Sequence, residues 1–179
     1  MEFLKRPLAI TDVETTGFDA QLHEIIEIGL VLTDQKNFKV LDEWSVKVKP
    51  KKIKTAADKA LKVAGYTKLD WANAVGLKEA VEIYAKKTKN AVFMAQNSFF
   101  DWSFLSEAFK QTGVEDHTEY HRVDLFTISW FNAKELKGLK NFTLKDMCQY
   151  FDLKPEPVPH RALNGARKAL EVLRKLRQI

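Results

Sequence analysis

Leu8-Ala9-Ile10-Thr11-Asp12-Val13-Glu14-Thr15-Thr16-Gly17 is the stretch from which the rest of the chain is read. Leu8 to Asp12 reads as a short buried strand, and the alternation of side chains along a strand puts Asp12 and Glu14 on one face of it. Downstream, Ile25 to Thr33 is a longer apolar run of the kind buried on both faces. The turn Asp34-Gln35-Lys36-Asn37 follows it. Trp44, Val46 and Val48 then alternate with Ser45, Lys47 and Lys49, the period of a strand with one wet face. Three strands joined by a short turn predict an antiparallel meander at the start of the chain.

Beyond the meander, helices alternate with strands. Leu77, Ala80, Val81 and Tyr84 share a stripe, which makes residues 76–87 an amphipathic helix. Ala91 to Ala95 is a short strand, Phe99 to Lys110 a helix ending at Gly113, and Tyr120 to Asp124 a further strand. Thr143, with Asp146 three residues on, starts a helix bearing Leu144, Met147, Cys148 and Phe151. The Pro-rich stretch 155–159 stops that helix and leads to His160. A last helix turns Leu163, Ala166, Leu170 and Leu173 inward. This order predicts an α/β mixed sheet in a single domain over residues 1–179.

Composition narrows the classes. The chain has 179 residues, of which 45% are hydrophobic, enough for one substantial core. No apolar run approaches the roughly 18 residues of a membrane span. Met1-Glu2-Phe3-Leu4-Lys5-Arg6-Pro7 lacks a signal peptide's apolar stretch, so a cytoplasmic protein with no membrane partner is expected. The lone Cys148 excludes an intrachain disulfide. A net charge of +5 favours a polyanionic partner. Seven lysines between Lys47 and Lys62 form either a solvated face or a phosphate-contacting edge.

Three segments carry chemistry. The first is Asp12-Val13-Glu14-Thr15-Thr16-Gly17, and the second is Asn97-Ser98-Phe99-Phe100-Asp101, followed in register by Phe104 and Leu105. The third is His160-Arg161-Ala162-Leu163-Asn164-Gly165-Ala166. Together they resemble the DEDDh, or DnaQ-like, family of 3′→5′ exonucleases, which includes the proofreading subunit of bacterial DNA polymerase III. The resemblance runs from about residue 7 to the C-terminus. It implies a ribonuclease H-like fold, a mixed five-stranded sheet with helices on both faces.

The same resemblance implies hydrolysis of phosphodiester bonds at 3′ ends with two Mg²⁺ or Mn²⁺ ions. Asp12, Glu14 and Asp101 would hold the metals, and His160 would be the general base. Thr15, Thr16, Gly17 and Asn97 would contact the terminal nucleotide, with Phe100 or its neighbour Phe99 stacking on its base. The implied partners are single-stranded 3′ ends, DNA ahead of RNA, and a DNA polymerase subunit. Such chemistry suits these residue types, because hard cations prefer oxygen ligands and a paired metal site about 3.5–4 Å across stabilises both attacking and leaving oxygens.

One position departs from the pattern. Gly165 stands where the family carries its fourth carboxylate, and it supplies no ligand. A barrier raised by about 3–5 kcal/mol would slow hydrolysis roughly 10²–10⁴-fold. On this basis restoring an aspartate should raise the rate at least tenfold. A second reading is a catalytically inactive module of the same fold that binds nucleic acid or docks on a partner.

Overall fold

The computed structural model describes residues 2–179. Strands β1 (Leu8–Thr15), β2 (Ile25–Thr33) and β3 (Val40–Lys47) form the expected antiparallel meander. β4 (Val92–Ala95) and β5 (Arg122–Asp124) lie parallel on the other side of β1, giving the order β3-β2-β1-β4-β5. This is the mixed five-stranded sheet of a ribonuclease H-like fold. β1 runs three residues beyond its sequence reading, to Thr15, because Asp12 and Glu14 stay paired with Gly29 and Glu27 of β2. The register breaks between Glu14 and Thr15, a bulge at the end of the acidic stretch.

The described residues also form six α-helices: α1 (Asp58–Val63), α2 (Leu77–Lys87), α3 (Ser98–Thr112), α4 (Leu125–Phe131), α5 (Leu144–Tyr150) and α6 (Ala162–Leu176). Periodicity does not reveal α1 and α4. Both are short, and α4 owes its start to Asp124, whose carboxylate accepts the Thr127 N–H at 2.9 Å. The Thr143 cap of α5 is present, accepting from the Asp146 N–H at 3.2 Å. α3 ends on Gly113 at φ 68°, the left-handed conformation that glycine adopts without strain.

The two faces of the sheet bury separate cores, as alternation in β1 requires. Ala9 and Val13 pack with Ile28, Leu30, Tyr84, Phe104 and Leu105, beneath α2 and α3. Leu8 and Ile10 pack on the opposite face with Val31, Met94, Cys148 and the Ala166, Leu170 and Leu173 stripe of α6. Cys148 is thus a core residue. Asp12 and Glu14 continue the α6 face past the end of this core.

The start of α6 is pressed onto β2. A Cβ on Gly29 would lie 2.1 Å from the Ala162 carbonyl carbon, so only glycine lets the helix sit there. Arg161, just before α6, also reaches the Ala64 carbonyl, and the His160 N–H donates to the Val63 carbonyl at 3.0 Å. The last helix, the end of β1 and α1 therefore meet at one corner of the sheet.

Candidate active site

The corner holds a cluster of carboxylates from different elements. Asp12 and Glu14 come from β1, and Asp101 from the first turn of α3, on the opposite face. Asp101 reaches them because β4 stops at Ala95, one residue past the Ile10–Met94 pair, leaving Val13 beyond its end. The Val13 N–H donates instead to Asp101 Oδ1 at 2.9 Å. A single backbone bond thus ties the third acid to the strand residue between the other two, and Asp101 is only 3% exposed.

Two further acids join them. Glu27, opposite Glu14 on β2, is 4% exposed, and its Oε2 has no hydrogen-bond partner among the described residues. Glu156, from the Pro-rich segment before α6, lies with Oε2 3.5 Å from His160 Nδ1. One ligand atom each from Glu14, Glu156 and His160 falls within 4.8 Å of the others. The sequence reading misses both acids. Glu27 is the one charged residue in the apolar run 25–33, and Glu156 stands four residues before His160 in a stretch that reads only as a helix stop.

Crowding of like charge at a desolvated corner favours the protonated carboxyls. Burial, reinforced by the charges of Asp101 and Glu14, holds Asp12 well above the ordinary carboxylate range. Burial pushes Glu14 up to about 7, with Glu156 and Glu27 acting in the same direction and Arg161 opposing them. Asp101 is raised to about 8, again chiefly by burial, against the Val13 hydrogen bond. Desolvation also raises Glu27 and Glu156. All five acids thus resist ionisation, through burial and the charge of their neighbours.

Gly165 faces this cluster from α6. A Cβ built there would lie 2.7 Å from both Cγ and Oδ2 of Asp12. The Asp12 carboxyl therefore occupies the space into which a side chain at 165 would extend.

The nucleotide-binding expectations divide. A groove beside Glu14 is lined by Thr15, Gly17, Phe18, Lys59, Val63 and Phe100. Phe100 is half-buried against Phe104, with ring centres 5.1 Å apart, and meets Phe18 edge-on at 6.2 Å. Phe18, 79% exposed, is a groove residue that the sequence reading overlooks. Lys59 comes from the lysine-rich segment, so part of that segment does border the site.

Thr16 is fully buried and its hydroxyl accepts the Glu24 N–H at 2.9 Å, so its side chain holds the turn. The Thr15 hydroxyl likewise donates to the Gly17 carbonyl at 2.6 Å. The glycine at 17 also has a local cause, since a Cβ there would come within 2.3 Å of the His23 ring. Asn97, exposed and left-handed at φ 59°, lines a different depression with Phe126 and Phe142.

Comparison with known proteins places this geometry. A family model described as Exonuclease (RNase_T) matches residues 9–173. The PolC-type DNA polymerase III of Thermotoga petrophila is 28% identical over 171 residues, covering 95% of this chain and 12% of that protein. That of Thermotoga maritima is 29% identical over 164 residues, 91% of this chain and 11% of the relative. Among solved structures, exonuclease I superposes with a TM-score of 0.84 at 14% identity, over 97% of this chain and 41% of that one. Escherichia coli exonuclease I in complex with a dA16 oligonucleotide gives a TM-score of 0.81 at 14% identity, with the same coverage. Cell-death related nuclease 4 gives 0.78 at 18% identity, over 98% of this chain and 64% of that one. At these identities the structural likeness shows the fold.

Proposed function

The chain belongs to the exonuclease family whose model spans residues 9–173, and from that premise we propose that it removes nucleotides stepwise from the 3′ ends of single-stranded nucleic acid, using two divalent cations. The observation that supports this most directly is the convergence of Glu14, Glu156 and His160 within 4.8 Å of one another, with Asp12 two residues from Glu14 on the same strand face and Asp101 bonded to the Val13 N–H between them in sequence. The donor set fits hard cations such as Mg²⁺ or Mn²⁺. It offers carboxylate oxygens from several elements, including a buried Glu27 oxygen with no hydrogen-bond partner among the described residues. Bound there, the cations would neutralise charge on the scissile phosphate and lower the pKa of the attacking water.

The chain's own groups supply the rest. Asp12, Glu14 and Asp101 are the metal-holding acids. His160, half-exposed before α6, is the general base. Phe18 and Phe100 offer faces on which a terminal base stacks, a contact worth about 1–3 kcal/mol and tolerant of sequence. Lys59 sits on the same groove, where it meets the phosphate backbone. Among the described residues no helix is long and apolar enough to cross a membrane, and we read the protein as acting in the cytoplasm. The PolC-type relatives and the dA16 complex of a structural neighbour favour DNA as the polymer and a DNA polymerase as the associated machinery.

The test is direct. A 5′-labelled single-stranded oligonucleotide incubated with Mn²⁺ should yield a ladder of 3′-shortened products, and Asp12→Ala should abolish it. Shortening that survives Asp12→Ala would place the activity elsewhere. Salt-sensitive binding without any cleavage would instead favour the inactive module, because phosphate contacts release counterions.

A further inference from the structure

Position 165 lacks a carboxylate, yet the site around it is not short of acids. Glu156 belongs to a segment whose neighbours are open to solvent, with Val158 83% exposed. Its own side chain, however, is only 16% exposed and turns inward. The bonds it makes there are poor ones. Oε1 accepts the Arg161 N–H at 3.4 Å, and Oε2 stands 3.5 Å from His160 Nδ1, both at or beyond the long end of hydrogen-bond distances. Neighbouring protein groups thus leave this carboxylate largely unsatisfied, while one of its oxygens lies within 4.8 Å of ligand atoms of Glu14 and His160.

Its place in the chain suits substitution for the missing ligand. Glu156 enters from the segment that leads into α6, the helix whose first turn carries Gly165. The family's acid would project from that turn toward Asp12. Here Asp12 lies directly against Gly165, and Glu156 approaches Glu14 from the lead-in segment. A second, independent feature marks the same spot. Glu27, 4% exposed and directly across the β1–β2 pair from Glu14, has an Oε2 with no hydrogen-bond partner among the described residues. Buried polar atoms left without a partner are rare in folded proteins, and a cation between these side chains would provide one.

We propose that Glu156 supplies the carboxylate that position 165 lacks, holding a divalent cation together with Glu14 at the start of α6. The inference rests on the metal-dependent exonuclease reading and names a ligand for it. It makes the site an acid-rich centre with one ligand relocated within the chain. The competing role for Glu156 is positional, as a carboxylate that merely orients the His160 ring. That role requires no contribution to metal affinity.

The two roles separate in a Mn²⁺ titration of the full chain without nucleic acid, followed by calorimetry and by the electron paramagnetic resonance signal of free Mn²⁺. Glu156→Gln, nearly isosteric, should weaken Mn²⁺ binding at least tenfold. Circular dichroism and the unfolding midpoint in EDTA verify that the variant folds. A loss smaller than tenfold, or a wild-type chain that binds no Mn²⁺ at millimolar concentration, overturns the proposal. Unchanged affinity with a shifted pH profile of cleavage would assign Glu156 to positioning His160. The exonuclease reading is judged separately by Asp12-dependent shortening of 3′ ends in the wild-type chain, so Glu156 can fail as a ligand while that reading stands.

Discussion

The carboxyl of Asp12 lies against the α-carbon of Gly165, where a Cβ would come within 2.7 Å of Asp12 Cγ. An aspartate at 165 would require the Asp12 carboxyl, the far end of a flexible side chain, to swing aside. Glu156, moreover, already approaches Glu14. Gly165→Asp should give no tenfold gain in Mg²⁺-dependent rate, and Gly165→Ala, which adds bulk without charge, should slow cleavage by displacing Asp12. Single-turnover rates of 3′-end cleavage check both. A tenfold rise for Gly165→Asp would show that Asp12 moves freely and that the missing carboxylate alone limits the enzyme.

Stability without metal should fall as pH rises. Glu14 and Asp101 titrate near 7 and 8 in the folded chain, against 4.5 and 3.8 as ordinary carboxyls. Between roughly pH 4 and 8 the folded state keeps protons that the unfolded state has released. The unfolding free energy then decreases with pH across that window, since it rises only where the unfolded state binds more protons. With each pH step between the unfolded and folded titration points worth about 1.4 kcal/mol, Glu14 alone accounts for on the order of 3 kcal/mol. Unfolding midpoints in EDTA should therefore be lower at pH 8.5 than at pH 5.5, and millimolar Mg²⁺ should flatten the trend. A midpoint in EDTA that rises over this range would contradict the crowding of these acids.

Function and stability should oppose one another at Asp101. Asparagine keeps an oxygen to accept the Val13 N–H while removing a buried charge beside Asp12 and Glu14. Asp101→Asn should raise the unfolding midpoint in EDTA at pH 8 by several degrees, at about 2–4 °C per kcal/mol for a chain of this size. Cleavage of 3′ ends should fall by about 10²-fold, or roughly 2.7 kcal/mol of barrier. A variant that loses both stability and activity would mean that Asp101 is chiefly a structural anchor.

How much of this is legible in the sequence depends on the range of the interactions involved. β2 and the core stripe of α6 follow from local periodicity, and both appear where hydrophobic pattern places them. Asp12 and Glu14 share a face because strands alternate. Asp101 joins them through a bond spanning 88 positions, which no local pattern reports; the motif resemblance supplies it. Where resemblance is silent, the reading fails. Glu156 is lost inside a Pro-rich stretch whose prolines signal only helix termination. Glu27 is lost inside an apolar run, although a lone charge in a strand buried on both faces is itself a signal. Thr16 reads as a substrate contact through the resemblance alone, and the bond its hydroxyl accepts from Glu24, eight residues on, leaves no local signal. α1 escapes because six residues are too few for a clear stripe, and its place is fixed by contacts with Thr16 and His160.

Phe18 offers the cleanest separation of substrate binding from metal chemistry. Its ring is 79% exposed, touches Phe100 edge-on and carries no polar atom toward the acids. Removing it should leave the core intact, so Phe18→Ala is expected to unfold within about 1 °C of the wild type, as surface substitutions usually do. Mn²⁺ affinity should not change. Loss of one stacking surface, at about 1–3 kcal/mol, should weaken binding of a single-stranded 3′ end roughly 5- to 150-fold. That loss should appear for oligo-dA and oligo-dT alike, because every base has a face to stack. Fluorescence anisotropy with labelled oligonucleotides, in Ca²⁺ to suppress cleavage, measures the effect. Binding that is unchanged by Phe18→Ala would move the terminal nucleotide out of this groove, toward the depression lined by Asn97 and Phe126.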